Sequence, residues 1–187
     1  MEEVEHEMTG DAAPADELTP SDPREAPEVP EAPEQTEPPQ PPQAREAQPL
    51  EDVMFRVMHL DSVLYDLTDP SPMVHLLEAE APFRYLVIPV ALADAIAIQH
   101  AHSSIEGRRP GTHELMNAVL TRLGTEVIAA RIVRYENGVF FAELDLMTPK
   151  GRQVFDCRTS DALTMALRQN SPAPILCSEE VLQHYYA

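Results

Sequence analysis

Asp156, Arg158, Ser160 and Asp161 lie close together in VFDCRTSDALTMALRQN, residues 154–170. Two carboxylates, a guanidinium and a hydroxyl make this the most polar point of an otherwise apolar unit and the first place to look for chemistry. Such groups could serve a phosphate. Phosphodiester hydrolysis needs an activated water, countercharge for the phosphoryl oxygens and, in many enzymes, divalent ions held by carboxylates. Asp156 and Asp161 are of the type that holds Mg²⁺ or Mn²⁺, hard ions that take oxygen ligands. Arg158 suits bidentate contact with a phosphate. A second group, Arg109 and His113, precedes it in the chain. Arg109 offers another guanidinium, and His113, at a helix start, is a general base or a phosphate contact. Glu143 and Asp145 share one face of a strand by their spacing of two and would face the same site if that strand neighbours the one ending at Asp156.

Plainer uses exist for each of these residues, and sequence leaves both open. A carboxylate in the first turn of a helix is favoured by about 0.3–1 kcal/mol, which accounts for Asp161. Arg158 can pair with Asp156 or Asp161 across the corner. His113, beside Glu114, can be a solvated surface residue. Glu143 and Asp145 alternate with Ala142, Leu144 and Leu146, as on an exposed strand face. No two histidines have metal-ligand spacing. Cys157 and Cys177 are too few for a disulfide framework or a metal knuckle and read as two reduced thiols.

The elements that must position these groups follow from pattern. Val154 and Phe155 end a strand, Thr159 or Ser160 caps the next helix, and the apolar run at 162–167 predicts burial on most sides. Upstream, residues 53–67 read as a strand or a pair of strands, and 73–79 and 85–88 as two more, with Pro89 closing the second. Residues 91–102 are an Ala-rich helix and 103–110 a loop ending in Arg108, Arg109 and Pro110. Thr112 is the expected N-cap of a helix carrying Leu115, Met116, Val119, Leu120 and Leu123 and closing at Gly124. Strands at 126–135 and 139–147 flank Asn137-Gly138, a strong hairpin signal. Pro172 and Pro174 precede a short strand at Ile175 and Leu176 and a terminal helical turn at 178–185.

Shifting the chain by 67 residues lays MVHLLEA (73–79) on FFAELDL (140–146), YLVIPV (85–90) on RQVFDC (152–157), and Asp94-Ala95-Ile96 on Asp161-Ala162-Leu163, without a gap. The predicted architecture is therefore α+β: a mixed sheet from two β-β-β-α pseudo-repeats about a pseudo-twofold axis, joined by the helix at Thr112.

Composition divides the chain. Residues 1–50 hold 11 of the 19 prolines and 14 of the 32 acidic residues, with only Arg24 and Arg45 basic, a net of −12. That leaves −7 of the total −19 for residues 51–187. The first segment reads as a disordered, self-repelling arm and the second as one domain. No apolar run reaches the roughly 18–20 residues of a membrane span. The acidic MEEVEHEMTG start is unlike a signal peptide, so a cytoplasmic location is the default expectation. A nucleic-acid binder should carry a basic patch, and the acidic balance argues against one except where Arg108, Arg109 and Arg158 cluster.

Several runs together resemble the bifunctional nuclease domain family. They are RPGTHEL at 109–115, Leu123-Gly124, NGVFFAEL at 137–144, DCRTSDAL at 156–163, Pro174-Ile175 and EEVL at 179–182. The resemblance covers about residues 53–183 and implies an α+β fold, frequent dimerisation, and DNase and RNase activity. It carries the family's Arg-Pro-x-Thr-His motif onto Arg109, Pro110, Thr112 and His113. Its Asp-x-Arg-x-Ser-Asp-Ala motif falls on Asp156, Arg158, Ser160, Asp161 and Ala162. This chain departs from the pattern at Thr159, where the family has proline. It departs again at Pro89-Val90 and Asp94, where the family has Ile-Gly and a helical glutamate.

Two expectations result. One is a nuclease with Asp156, Arg158, Asp161 and His113 catalytic, Arg109 and Ser160 on the phosphate, and a divalent metal on Asp156 and Asp161. The other is a non-catalytic dimeric α+β binding or regulatory module with an acidic tether. Nucleic acid and a second copy are the expected partners, and a membrane is not.

Overall fold

The computed structural model describes residues 45–46, 53–65 and 71–186. All lie in the unit Gln40–Ala187. The arm expected over residues 1–50 falls outside the described residues, except for Arg45–Glu46.

Twelve elements follow in order: β1 (Arg45–Glu46), β2 (Phe55–Leu64), β3 (Met73–Glu78), β4 (Tyr85–Pro89), α1 (Leu92–His102), α2 (Thr112–Arg122), β5 (Glu126–Glu136), β6 (Val139–Thr148), β7 (Gly151–Arg158), α3 (Thr159–Leu167), β8 (Ile175–Ser178) and α4 (Glu179–Tyr185). The strands form one mixed sheet in the order β1-β7-β6-β5-β8-β2-β3-β4. Apart from the two-residue β1, the order is symmetric about β8. On one side lies the meander β2-β3-β4, followed in the chain by α1. On the other lies β5-β6-β7, followed by α3. β8 is antiparallel to β2 and parallel to β5, so the two meanders run in opposite senses, as a pseudo-twofold axis near β8 requires. The two β-β-β-α halves predicted from the 67-residue shift are therefore present, and α2 joins them.

Local chemistry sets the elements. Asn137 (φ 50°) and Gly138 (φ 82°) both take the left-handed conformation that a two-residue β5–β6 hairpin needs. Gly124 (φ 67°) ends α2 in the same way. Thr112 is the first residue of α2 rather than its cap. Gly111 takes the cap position, and the Glu114 carboxylate accepts its N–H at 2.6 Å.

One core serves both halves. Val74, Leu76, Leu86, Ile88, Ala95 and Ile98 from the first pack in the same cluster as Ile132, Phe140, Ala142, Ala162, Leu163 and Ala166 from the second. Helix α3 is buried at seven of its nine positions, as its apolar run predicted. Helix α2 departs from expectation. No α2 residue is buried, and Leu115, Met116, Val119 and Leu123 are 44–65% exposed. Only Leu120 of the apolar set packs against a core cluster, that of Val127, Leu146 and Met165. The helix turns its polar side inward and an apolar stripe outward.

Candidate functional site

The polar corner forms where β7 gives way to α3. Arg158 is the last strand residue and the N-cap of α3, in extended conformation, and its side chain returns along the first helical turn. Its Nε donates to Asp161 Oδ2 at 2.8 Å and its Nη2 to Asp161 Oδ1 at 2.9 Å. The same guanidinium reaches the other half of the molecule. Nη1 donates to Asp94 Oδ2 at 3.1 Å and Nη2 to Asp94 Oδ1 at 3.4 Å. Ser160 Oγ also donates to Asp94 Oδ2, at 3.3 Å. On the far side of Asp161, His113 Nε2 lies 3.0 Å from Oδ1.

Asp94, His113 and Asp161 stand in the first turns of α1, α2 and α3 respectively. Three helix N-termini thus meet at one locus, each contributing partial positive charge and unpaired N–H groups. The polar side chains collect there because that is where carboxylates are favoured. Thr159 and Ser160 do not cap α3 as expected. Thr159 instead donates to Phe140 O at 3.0 Å, fixing the corner to β6.

Charge at the site is balanced by contact. Burial works to raise the Asp161 carboxyl, but hydrogen bonds from Arg158 and His113 outweigh it and hold the group below its ordinary value. The Arg158 guanidinium is held charged chiefly by its hydrogen bond to Asp161, against a smaller opposing effect of burial. Its side chain is 64% exposed, whereas those of Asp94, His113 and Asp161 are 16, 22 and 31% exposed. Arginine carries five N–H donors; the bonds above commit four, leaving one on Nη1.

Arg158, Ser160, Asp161 and His113 are thus brought together, and Arg109 and Asp156 are not. Arg109 is exposed on the 103–111 connection, and none of the described residues forms a hydrogen bond or ion pair with its side chain. Asp156 is exposed on β7 opposite Glu143, and it too has no bond to the cluster. Glu143 and Asp145 neither face the site nor form an exposed strand face. Arg131 pairs with Glu143 at 3.1 Å. Asp145, only 1% exposed, accepts from Arg152 Nε at 2.9 Å.

This donor set does not fit a divalent cation. The Arg158 guanidinium occupies the space between the Asp94 and Asp161 carboxylates. Among the described residues no three His, Cys, Asp or Glu side chains converge as a metal-binding group. Burial, chiefly, pushes both the Cys157 and Cys177 thiols up to about 12, away from the reactive thiolate form.

Asp94 is the cluster residue that the expected site set left out. Its signal was the internal repeat, because the 67-residue shift lays Asp94 on Asp161, and these two carboxylates grip one arginine.

A family model described as the bifunctional nuclease domain matches residues 74–186. The chain belongs to the bifunctional nuclease domain family. Two curated relatives, named Uncharacterized protein MT1877 and Uncharacterized protein Rv1829, come from two strains of Mycobacterium tuberculosis. Each is 35% identical over 111 residues, 59% of this chain and 64% of the relative. The chain therefore spans less than two thirds of the length of these relatives. The family match includes every residue of the cluster, Asp94 among them. Among the described residues of this bifunctional nuclease domain, no helix is long and apolar enough to cross a membrane.

Proposed function

We propose that this chain hydrolyses phosphodiester bonds in nucleic acid at the cluster of Asp94, His113, Arg158, Ser160 and Asp161. The observation that carries the reading is the 3.0 Å contact between His113 Nε2 and Asp161 Oδ1, beside a guanidinium held by two carboxylates. Asp161 fixes the imidazole through Nε2, and with the proton on that nitrogen Nδ1 is left as the base. A water attacking phosphorus gives its proton to Nδ1, the P–O bond to the leaving sugar oxygen breaks, and that oxygen takes a proton from the imidazolium. Arg158 supplies its remaining N–H and its positive charge to the phosphoryl oxygens, and the helix N-termini supply further partial charge. Asp94 positions Arg158. No step runs through a metal ion.

A second reading also has specific support. Arg158 is nearly saturated with carboxylate partners, and α2 presents an apolar stripe to solvent. Both suit a non-catalytic, self-associating binding or regulatory module in which Arg158 clamps the two halves together.

One assay separates these readings. The purified chain is incubated with single-stranded DNA and with RNA, in Mg²⁺, in Mn²⁺ and in chelator, beside His113→Ala and Asp161→Asn. The proposal expects cleavage by the parent and a loss of at least about 100-fold in both variants, the scale of a lost general base. Cleavage retained in both variants contradicts the assignment, and absence of cleavage in the parent favours the module.

A further inference from the structure

A cavity of about 610 Å³ opens between the end of α1, the loop after it, the inner face of α2 and the end of α3. That volume falls within the ~300–1,000 Å³ range of small-ligand sites. Pro110 and Glu114, which line it, lie within three residues of His113 in the chain, and Glu114 shares helix α2 with it. Its lining is polar where α2 and α3 meet. Gln169 Nε2 donates to Asn117 Oδ1 at 2.9 Å and to Met165 O at 2.8 Å. Asn117 Nδ2 makes only a long 3.4 Å bond to Arg168 O. Arg168 Nη1 is held by Ile105 O at 2.8 Å and Glu114 Oε1 at 2.9 Å, while its Nε is buried without a partner.

Hydrogen-bonding capacity is therefore left over in both senses. Gln169 Oε1 accepts from none of the described residues, Asn117 Nδ2 is under-used, and Arg168 Nη2 and Nε are spare donors. Gly107, Pro110 and Arg168 also line the cavity. The rim loop also carries Arg108 and Arg109, both exposed and without ion pairs to the described residues. Among the described residues nothing neutralises these two cations, on a chain whose net charge is −19.

We propose that this cavity is a subsite for one unpaired nucleobase, its edge read by Asn117, Gln169 and Arg168. Arg108 and Arg109 hold the neighbouring phosphates of the strand. The proposal rests on the phosphodiester reading for the identity of the ligand, and it adds that the substrate is single-stranded at the bound position. A paired, stacked base cannot enter such a cavity and has its Watson–Crick edge occupied, whereas an unstacked base offers that edge to these amides. It also gives Arg109 a role that the cluster does not.

The test uses probes without phosphate, so that it does not depend on the cluster. The four ribonucleosides are titrated separately into the isotope-labelled full chain while the side-chain amide resonances of Asn117 and Gln169 are followed. At least one nucleoside should shift both resonances in a saturable manner, and Asn117→Leu and Gln169→Leu should each weaken that binding at least ten-fold. No shift with any nucleoside, or shifts confined to other residues, overturns the subsite. A second arm compares a single-stranded oligonucleotide with the same strand lacking one base. Equal affinity for both overturns the subsite while leaving the phosphodiester reading intact. Nucleoside binding in a chain that cleaves no strand supports the subsite and overturns the phosphodiester reading instead.

Discussion

His113 and Asp161 are 48 residues apart and meet at 3.0 Å, while Arg158 bridges Asp161 to Asp94 across 64 residues. What each contact is worth decides what a substitution should do. Ion pairs on an exposed guanidinium contribute only about 0.2–1 kcal/mol. With two such pairs, to Asp94 and Asp161, Arg158→Ala should lower unfolding free energy by no more than about 2 kcal/mol in urea titration and yet abolish strand cleavage. A larger stability loss with activity kept would make Arg158 a clamp and nothing else. Asp94→Asn keeps the shape and removes one anchor of the guanidinium. It should lower kcat more than it raises KM, because a positioning residue acts on the transition state through Arg158. Arg158, Ser160, Asp161 and His113 were legible in the sequence because residue type and helix-start position travel together. The positions of Asp156 and Arg109, outside the cluster's contacts, were not legible there. Strand register and loop direction, rather than residue type, set those.

Helix α3 is the rigid seat of the site. Leu163 is fully buried in the shared core, so Leu163→Ala should cost about 2–5 kcal/mol and loosen the corner with it. Past β8, the first turn of α4 is tied to β2 and to the segment between β3 and β4. Arg84 binds Glu179 at 2.8 Å and Glu78 at 2.9 Å, and Arg56 binds Glu179 at 2.8 Å. Hydrogen bonds from Arg84 and then Arg56 lower the Glu179 carboxyl from 4.5 to about 2, against the opposing effect of burial. A depressed carboxyl stabilises the fold above its unfolded value, and that contribution is lost as pH falls through the folded one. Stability should therefore drop between pH 4.5 and about 2, and Arg84→Met should flatten this limb in denaturant titrations taken across that range. The hairpin at Asn137-Gly138 and the buried run of α3 were readable because turn chemistry and continuous apolarity are local. The outward stripe of α2 was not. Helical spacing reports that Leu115, Val119 and Leu123 share a face, and only packing reports which way it points.

Over the whole molecule, a sheet symmetric about β8 brings two equivalent first turns, at Asp94 and Asp161, onto one arginine. The internal repeat made that symmetry legible from sequence, but the central position of β8, the shortest strand of the two halves and their junction, had no local signal. Charge acts at this scale too. The chain carries −19, of which residues 1–50 hold −12, and like charge slows and weakens nucleic-acid binding within a screening length of about 10 Å at 0.1 M salt. Removing residues 1–40 should raise affinity for single-stranded DNA at low salt and make no difference at high salt; unchanged affinity at low salt would show that the arm does not compete. The central claim, that His113 and Asp161 work as one unit in hydrolysis, is met most directly by a double-mutant cycle on cleavage rate. If they form a unit, His113→Ala, Asp161→Asn and the double variant all lose about the same factor. Losses that multiply, or a parent chain that cuts neither DNA nor RNA, would contradict it.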